Sequence, residues 1–110
     1  MTKRTGMNDD AFVEHWTTTH ADLAADMPGL LAYSINLPSP LQRGPRPCDG
    51  YAMLRFGSYE AAKAAWQTDA GRATAQDGTL FMDNARALIV DERVVVATTT
   101  PPRGTESGQP

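Results

Sequence analysis

Apolar residues recur at helical spacing over the first third of the chain. Phe12, Trp16, His20, Leu23 and Met27 are separated by 4, 4, 3 and 4 positions, which lays them along one stripe of an α-helix. Asn8 is a ready N-cap, and Asp9 and Asp10 place negative charge in the first turn, where the helix dipole favours it. Pro28-Gly29 stops the pattern, so the helix is expected to run from Asn8 to about Met27. Thr17-Thr18-Thr19 weakens it locally, because β-branched side chains lose rotamer freedom in a helix. The period then changes to two. Leu31, Tyr33, Ile35 and Leu37 alternate with Ala32, Ser34 and Asn36, the pattern of a half-buried strand. Tyr51 to Phe56 predicts a second strand, with Ala52, Leu54 and Phe56 on one face and Tyr51, Met53 and Arg55 on the other. Between them, Pro38 to Asp49 holds four prolines and a glycine in twelve residues, a long loop closing an antiparallel hairpin.

Ser58 caps a second predicted helix, with Tyr59, Ala62 and Trp66 toward the core. A short helix from Ala70 to about Asp77 follows a break near Gly71, and Gly78 ends it. Leu80-Phe81-Met82 then falls in a connection, and Ala87 to Val96 reads as a last strand. From Ala97 the composition turns to Thr, Pro, Gly, Ser and Gln, which cannot bury enough apolar surface to order itself. The expected division is one domain over 1–96 and a disordered tail over 97–110. The order of elements predicts an α+β fold, an antiparallel sheet with its helices on one face. A strand ahead of the first helix would complete the ferredoxin-like β-α-β-β-α-β unit. Of the five residues before Gly6 only Met1 is apolar, so that first strand is expected to be truncated.

Composition narrows the function classes. At 110 residues the chain suits one domain with a modest core. A net charge of −3 without a basic cluster gives no footprint for nucleic acid or an anionic membrane. No apolar run approaches the ~20 residues needed to span a bilayer, and no signal peptide is visible. Cys48 is the single cysteine, so no internal disulfide can form, and a cytoplasmic location is the expectation.

The candidate chemistry sits on the first helix. His20 lies on its apolar stripe, where a titratable ring is either a structural histidine or an acid–base group working near neutral pH. Trp16 and Phe12 are either core or the apolar wall of a ligand pocket. Tyr33 is either a half-buried strand aromatic or a hydrogen-bond donor to a ligand. His20 is expected to face the sheet, near Tyr33 or Asn36. His15 is one position off the stripe, at the helix edge. Five residues of regular α-helix put His15 and His20 ~140° apart, so they are not expected to converge on one ion. No Cys or carboxylate set completes a metal site, and no phosphate loop, nucleophile elbow or dinucleotide fingerprint is present.

The ordered series Lys3-Arg4-Thr5-Gly6-Met7, Phe12-Val13-Glu14-His15-Trp16, Thr19-His20-Ala21 and Pro28-Gly29-Leu30 resembles the opening of the EthD family. Asp49-Gly50-Tyr51-Ala52, Ser58-Tyr59-Glu60-Ala61-Ala62, Gly71-Arg72-Ala73, Phe81-Met82-Asp83 and Val90-Asp91-Glu92-Arg93-Val94-Val95 extend the likeness over residues 3–96. The resemblance implies a dimeric α+β barrel, in which two ferredoxin-like sheets pack face to face and each subunit keeps a small pocket. It implies a homodimer with a pocket for a small apolar, aromatic or polyketide-like metabolite, and no common reaction or cofactor defines the family; the residues themselves point to no cofactor and no metal. Two functions follow. One is an enzyme or enzyme accessory of oxidoreductase, isomerase or dehydratase type, with His20 catalytic and Trp16, Phe12 and Tyr33 contacting substrate. The other is a non-catalytic module that binds a metabolite or assembles with an oxygenase system. Family members carry a longer apolar strand before the Lys-Arg-x-Gly-Met turn, and an upstream start or a truncation is the matching expectation here.

Overall fold

A computed structural model describes residues 1–96, and the expected tail over 97–110 lies outside the described residues. The elements are β1 (Thr2–Lys3), α1 (Asp9–His15), a π turn (Trp16–His20), α2 (Ala21–Ala25), β2 (Leu30–Asn36), β3 (Tyr51–Phe56), α3 (Tyr59–Trp66), α4 (Asp69–Phe81) and β4 (Met82–Asn84). This is an α+β fold of the ferredoxin-like kind. Asn8, Ser58 and Thr68 start the three helical runs, each accepting from the N–H three residues on. That contact satisfies one of the donors a helix N-terminus leaves open. Gly29, at φ +80°, turns the chain from α2 into β2.

The threonine run does more than weaken the first helix. The Ala21 N–H reaches back five residues to the Trp16 carbonyl, the signature of a π turn, which amounts to a local widening of the helix. The Thr17 and Thr18 hydroxyls donate to the Val13 and Glu14 carbonyls at 2.7 and 2.6 Å. Side-chain donors thus supplement the backbone ladder where it changes register.

β2 and β3 form the expected hairpin, with Tyr33 opposite Leu54 and Ile35 opposite Ala52. A register shift between Leu30 and Ala32 leaves Leu31 on the surface. β1 pairs antiparallel with β4. The Met1 amine donates to the Gly50 carbonyl, and the Asp49 N–H donates to the Met1 carbonyl, both at 2.9 Å. These bonds set β1 beside the entry to β3. Two apolar clusters lie between the strands and the helices. One is built on Phe12, Trp16 and Phe81, the other on Ala24, Met27 and Ala65.

Three expectations are corrected. The last strand is Met82–Asn84, not 87–96, where no strand forms; Leu88, Ile89, Val90 and Val94 to Val96 are exposed. Periodicity marks residues able to pair, but the partner that β1 takes is the segment leaving α4, Met82–Asn84. The last helix passes through Gly78 and ends at Phe81, because a helix buried on one face tolerates an internal glycine. Tyr59 and Trp66 are exposed, and Ala65 is the buried residue of α3. Helix α4 approaches so closely on that face that only small side chains fit.

Asp83 is tied to the turn that follows β1. The Thr5 N–H and hydroxyl donate to its Oδ2 at 2.8 and 2.6 Å. These hydrogen bonds hold the Asp83 carboxyl below the usual carboxylate range. A folded-state value below the unfolded one gives a stabilisation present above about pH 4 and lost as pH falls through the lower folded value. Asp83→Asn is therefore expected to melt below the wild type at pH 6, and the gap should close in acid. Parallel melting curves at pH 6 and pH 2.5 read this, and a gap independent of pH would refute it.

Candidate functional site

The π turn decides the site. Where a residue's backbone partner lies five positions away, His15 and His20 come one above the other instead of diverging. Both rings meet Asp77, which the buried stripe of α4 (Gly71, Thr74, Asp77 and Phe81) brings to the same place. His15 Nε2 lies 3.0 and 2.9 Å from Asp77 Oδ1 and Oδ2. His20 Nδ1 lies 2.8 Å from Oδ2. Asp77 is 8% exposed and His20 7%, so this is a buried cluster in which one carboxylate serves two imidazoles. The expected separation of the two histidines is overturned, and so is the placing of His20 under the sheet near Tyr33 or Asn36. Asn36 donates instead to Ser34 Oγ and the Tyr51 carbonyl.

Chemistry follows from the donor inventory. An ionised carboxylate only accepts, so each ring nitrogen that touches it carries the hydrogen. His20 is then the Nδ1–H tautomer with its lone pair on Nε2. That nitrogen has no hydrogen-bond partner among the described residues and is not sealed from solvent. A carboxylate behind one nitrogen and a free lone pair on the other is the arrangement of an oriented general base. The Phe81 ring stands edge-on to His20 at 4.9 Å and tilted to His15 at 4.7 Å, which limits how either imidazole can turn. Gly78 lies beside His20: a Cβ there would stand at ordinary contact distance, 3.9 Å, from His20 Cε1.

The other predicted site residues lie nearer the sheet. Trp16 is fully buried, tilted against Phe12 at 5.5 Å and Phe81 at 6.4 Å. Gly50 lies under its six-membered ring, where a Cβ would come within 2.5 Å of Cζ3. Tyr33 is half-buried, and burial pushes its hydroxyl above the ordinary phenol range, against a smaller opposite pull from the Trp16 indole N–H. That N–H is buried and makes no hydrogen bond of normal geometry with any described residue, so burial governs. Phe12 is buried yet forms part of an open cleft of about 180 Å³ shared with Val13, Leu37, Pro38 and Arg46. That is below the ~300 Å³ of a typical drug-sized site, and neither His20 nor Trp16 nor Tyr33 lines it.

Asp77 is the functional residue that pattern reading misses. As the residue before Gly78 it reads as the solvated end of a helix. Its spacing of three from Thr74 and four from Phe81 is the signal that places it on the buried face.

The EthD domain matches residues 4–85. Among solved structures, the chain is similar to an ethyl tert-butyl ether D (EthD) family protein from Bacillus halodurans. The two are 26% identical with a TM-score of 0.59, over 74% of this chain and 80% of that one. No curated protein matches.

Proposed function

The chain belongs to the EthD family, and from that premise we propose that it is a proton-transfer enzyme acting on a small apolar, aromatic or polyketide-like metabolite, with His20 as its general base. One observation carries this reading: His20 Nδ1 bonds Asp77 at 2.8 Å while Nε2 has no partner among the described residues. In the proposed step, His20 Nε2 removes a proton from an acidic carbon or a phenol of the substrate. The resulting imidazolium is stabilised by Asp77, which is already in place, and the same nitrogen returns the proton elsewhere on the substrate. Isomerisation and dehydration need this shuttle, and deprotonation of a hydroquinone is the first step of a cofactor-free oxidation. Tyr33 and Phe12 are the proposed substrate contacts, with Trp16 backing both.

The test is turnover in a panel of aromatic lactones and hydroquinones. For a substrate found there, His20→Gln is expected to lower kcat by about 10²–10⁴-fold, the usual worth of a positioned acid–base group. Unchanged turnover in that variant would remove His20 from the mechanism. Stoichiometric binding with no turnover of any compound would favour the metabolite-binding module.

We also propose a homodimer. Tyr51 and Met53 stand 53% and 56% exposed on the sheet face away from the helices, and an apolar sheet face left in water is unfavourable. Sedimentation velocity should give a dimer that Met53→Lys shifts toward monomer. A monomeric wild type at micromolar concentration would end this proposal.

A further inference from the structure

The His20 mechanism leaves one buried contact unused, the one between Asp77 and His15. We infer that His15 is a positioning residue for His20: through the shared Asp77 carboxylate it fixes which nitrogen of His20 carries the hydrogen. The inference deepens the reading of His20 as a base and rests on it for its functional meaning.

The two contacts on Asp77 differ in kind. His15 Nε2 sits within 3.0 Å of both carboxylate oxygens, whereas His20 Nδ1 reaches only Oδ2 at 2.8 Å. A carboxylate's terminal torsion is broad and roughly two-fold, so a single contact does not fix its plane. The bifurcated contact from His15 supplies the second anchor and aims Oδ2 at His20. Without it, Oδ1 loses its only partner among the described residues and Asp77 is free to turn. His20 could then exchange its Nδ1–H tautomer for the Nε2–H form, which has no lone pair toward a substrate. No other ionisable side chain among the described residues forms an ion pair with His15, His20 or Asp77, so nothing else in the cluster can take over this task. His15 also has the more accessible side chain, 25% exposed against 9% for the side chain of His20. It therefore closes the surface side of the cluster while His20 works within.

The placement depends on the π turn. In regular α-helix His15 would point away from Asp77, and the carboxylate would have one donor. The widened turn brings a second imidazole to the same oxygen with no change elsewhere in the helix.

Long-range proton–nitrogen NMR on the ¹⁵N-labelled full chain reads the imidazole tautomers directly, at a pH where both rings are neutral and without any substrate. In the wild type, His20 should be protonated at Nδ1 with less than about one part in ten of the other form, as expected for a hydrogen bond to a charged group. His15→Leu, which removes the donor, should give comparable amounts of both forms. His15→Gln, whose amide N–H replaces Nε2–H, should restore the single form. A wild-type His20 protonated at Nε2 overturns the inference, as does a single Nδ1–H form that survives in His15→Leu. A purely structural role for His15 would lower the melting temperature of His15→Leu with the tautomer unchanged, which also counts against it. Should His15→Leu fail to fold, His15→Phe, which also lacks the donor but keeps a ring against Phe81, takes its place in the same comparison. Because the readout needs no turnover, an inactive or non-catalytic protein could still pass this test, and its failure would leave the His20→Gln result standing.

Discussion

Trp16→Ala is expected to lower the free energy of unfolding by about 3 kcal/mol, the low end of the range for removing a buried tryptophan. Trp16 is 0% exposed and joins Phe12 to Phe81, so truncation leaves a cavity that β3 cannot fill, because Gly50 already lies against the ring. One term works in the other direction. The indole N–H is buried without a partner among the described residues, a defect worth about 1–3 kcal/mol, and removing it offsets part of the loss. The offset places the estimate at the low end. For a domain of this size, each kcal/mol moves the melting temperature by roughly 4–8 °C, so a fall of about 12–24 °C is expected. Trp16→Phe, which drops the N–H and keeps a ring, should fall far less. Calorimetry on the three proteins settles this. An alanine variant within a few degrees of the wild type would show that Trp16 is not part of a packed core.

Gly71→Ala carries the second large effect. In an open helix this change would stabilise by about 1 kcal/mol. Here a Cβ would meet the Ala65 carbonyl oxygen at 2.3 Å and Trp66 Cα at 2.5 Å. Both are backbone atoms of the α3 end and cannot swing aside as a side chain can. Overpacking costs about 1–3 kcal/mol when neighbours can adjust, and an obstruction made of backbone sits at the top of that range. The clash therefore outweighs the propensity, and a net loss of about 2 kcal/mol is expected. Gly78→Ala is the built-in control. Its new Cβ would lie 2.8 Å from Met82 Cε, the mobile tip of a flexible chain, so that variant should melt close to the wild type. Urea titrations of both variants test the contrast, and equal midpoints would refute it.

The two glycines also show where pattern reading reaches its limit. Gly71 and Gly78 look alike in sequence, and each reads as a helix boundary. Both lie inside α4: the end of α3 packs against Gly71, and only the flexible tip of Met82 comes close to Gly78. The misplaced boundary at Gly78 then hid Asp77. The apolar run 87–96 was misread for a related reason, since it has the residues of a strand but β1 pairs with Met82–Asn84 instead.

Several features were settled by local chemistry alone. Asn8 and Ser58 as caps, the stop at Pro28-Gly29, the hairpin between β2 and β3 and the face each β3 residue takes depend on spacing, backbone preference and short-range hydrogen bonds. All of these are written into consecutive residues. Of the stripe, Phe12, Trp16, His20 and Met27 were legible for the same reason, whereas Leu23 is only half-buried and Ala24 beside it is buried; the likeness to the EthD family was legible too. The partners of His20 were decided only by tertiary structure. Asp77 is fifty-seven positions away and arrives through the packing of α4 on the first helix. His15 joins it because the helix widens through Thr17, Thr18 and Thr19, and assuming a regular α-helix puts that ring on the wrong side. A histidine on an apolar stripe could be read from the sequence; which nitrogen of it faces a carboxylate depends on contacts between helices that no local pattern encodes.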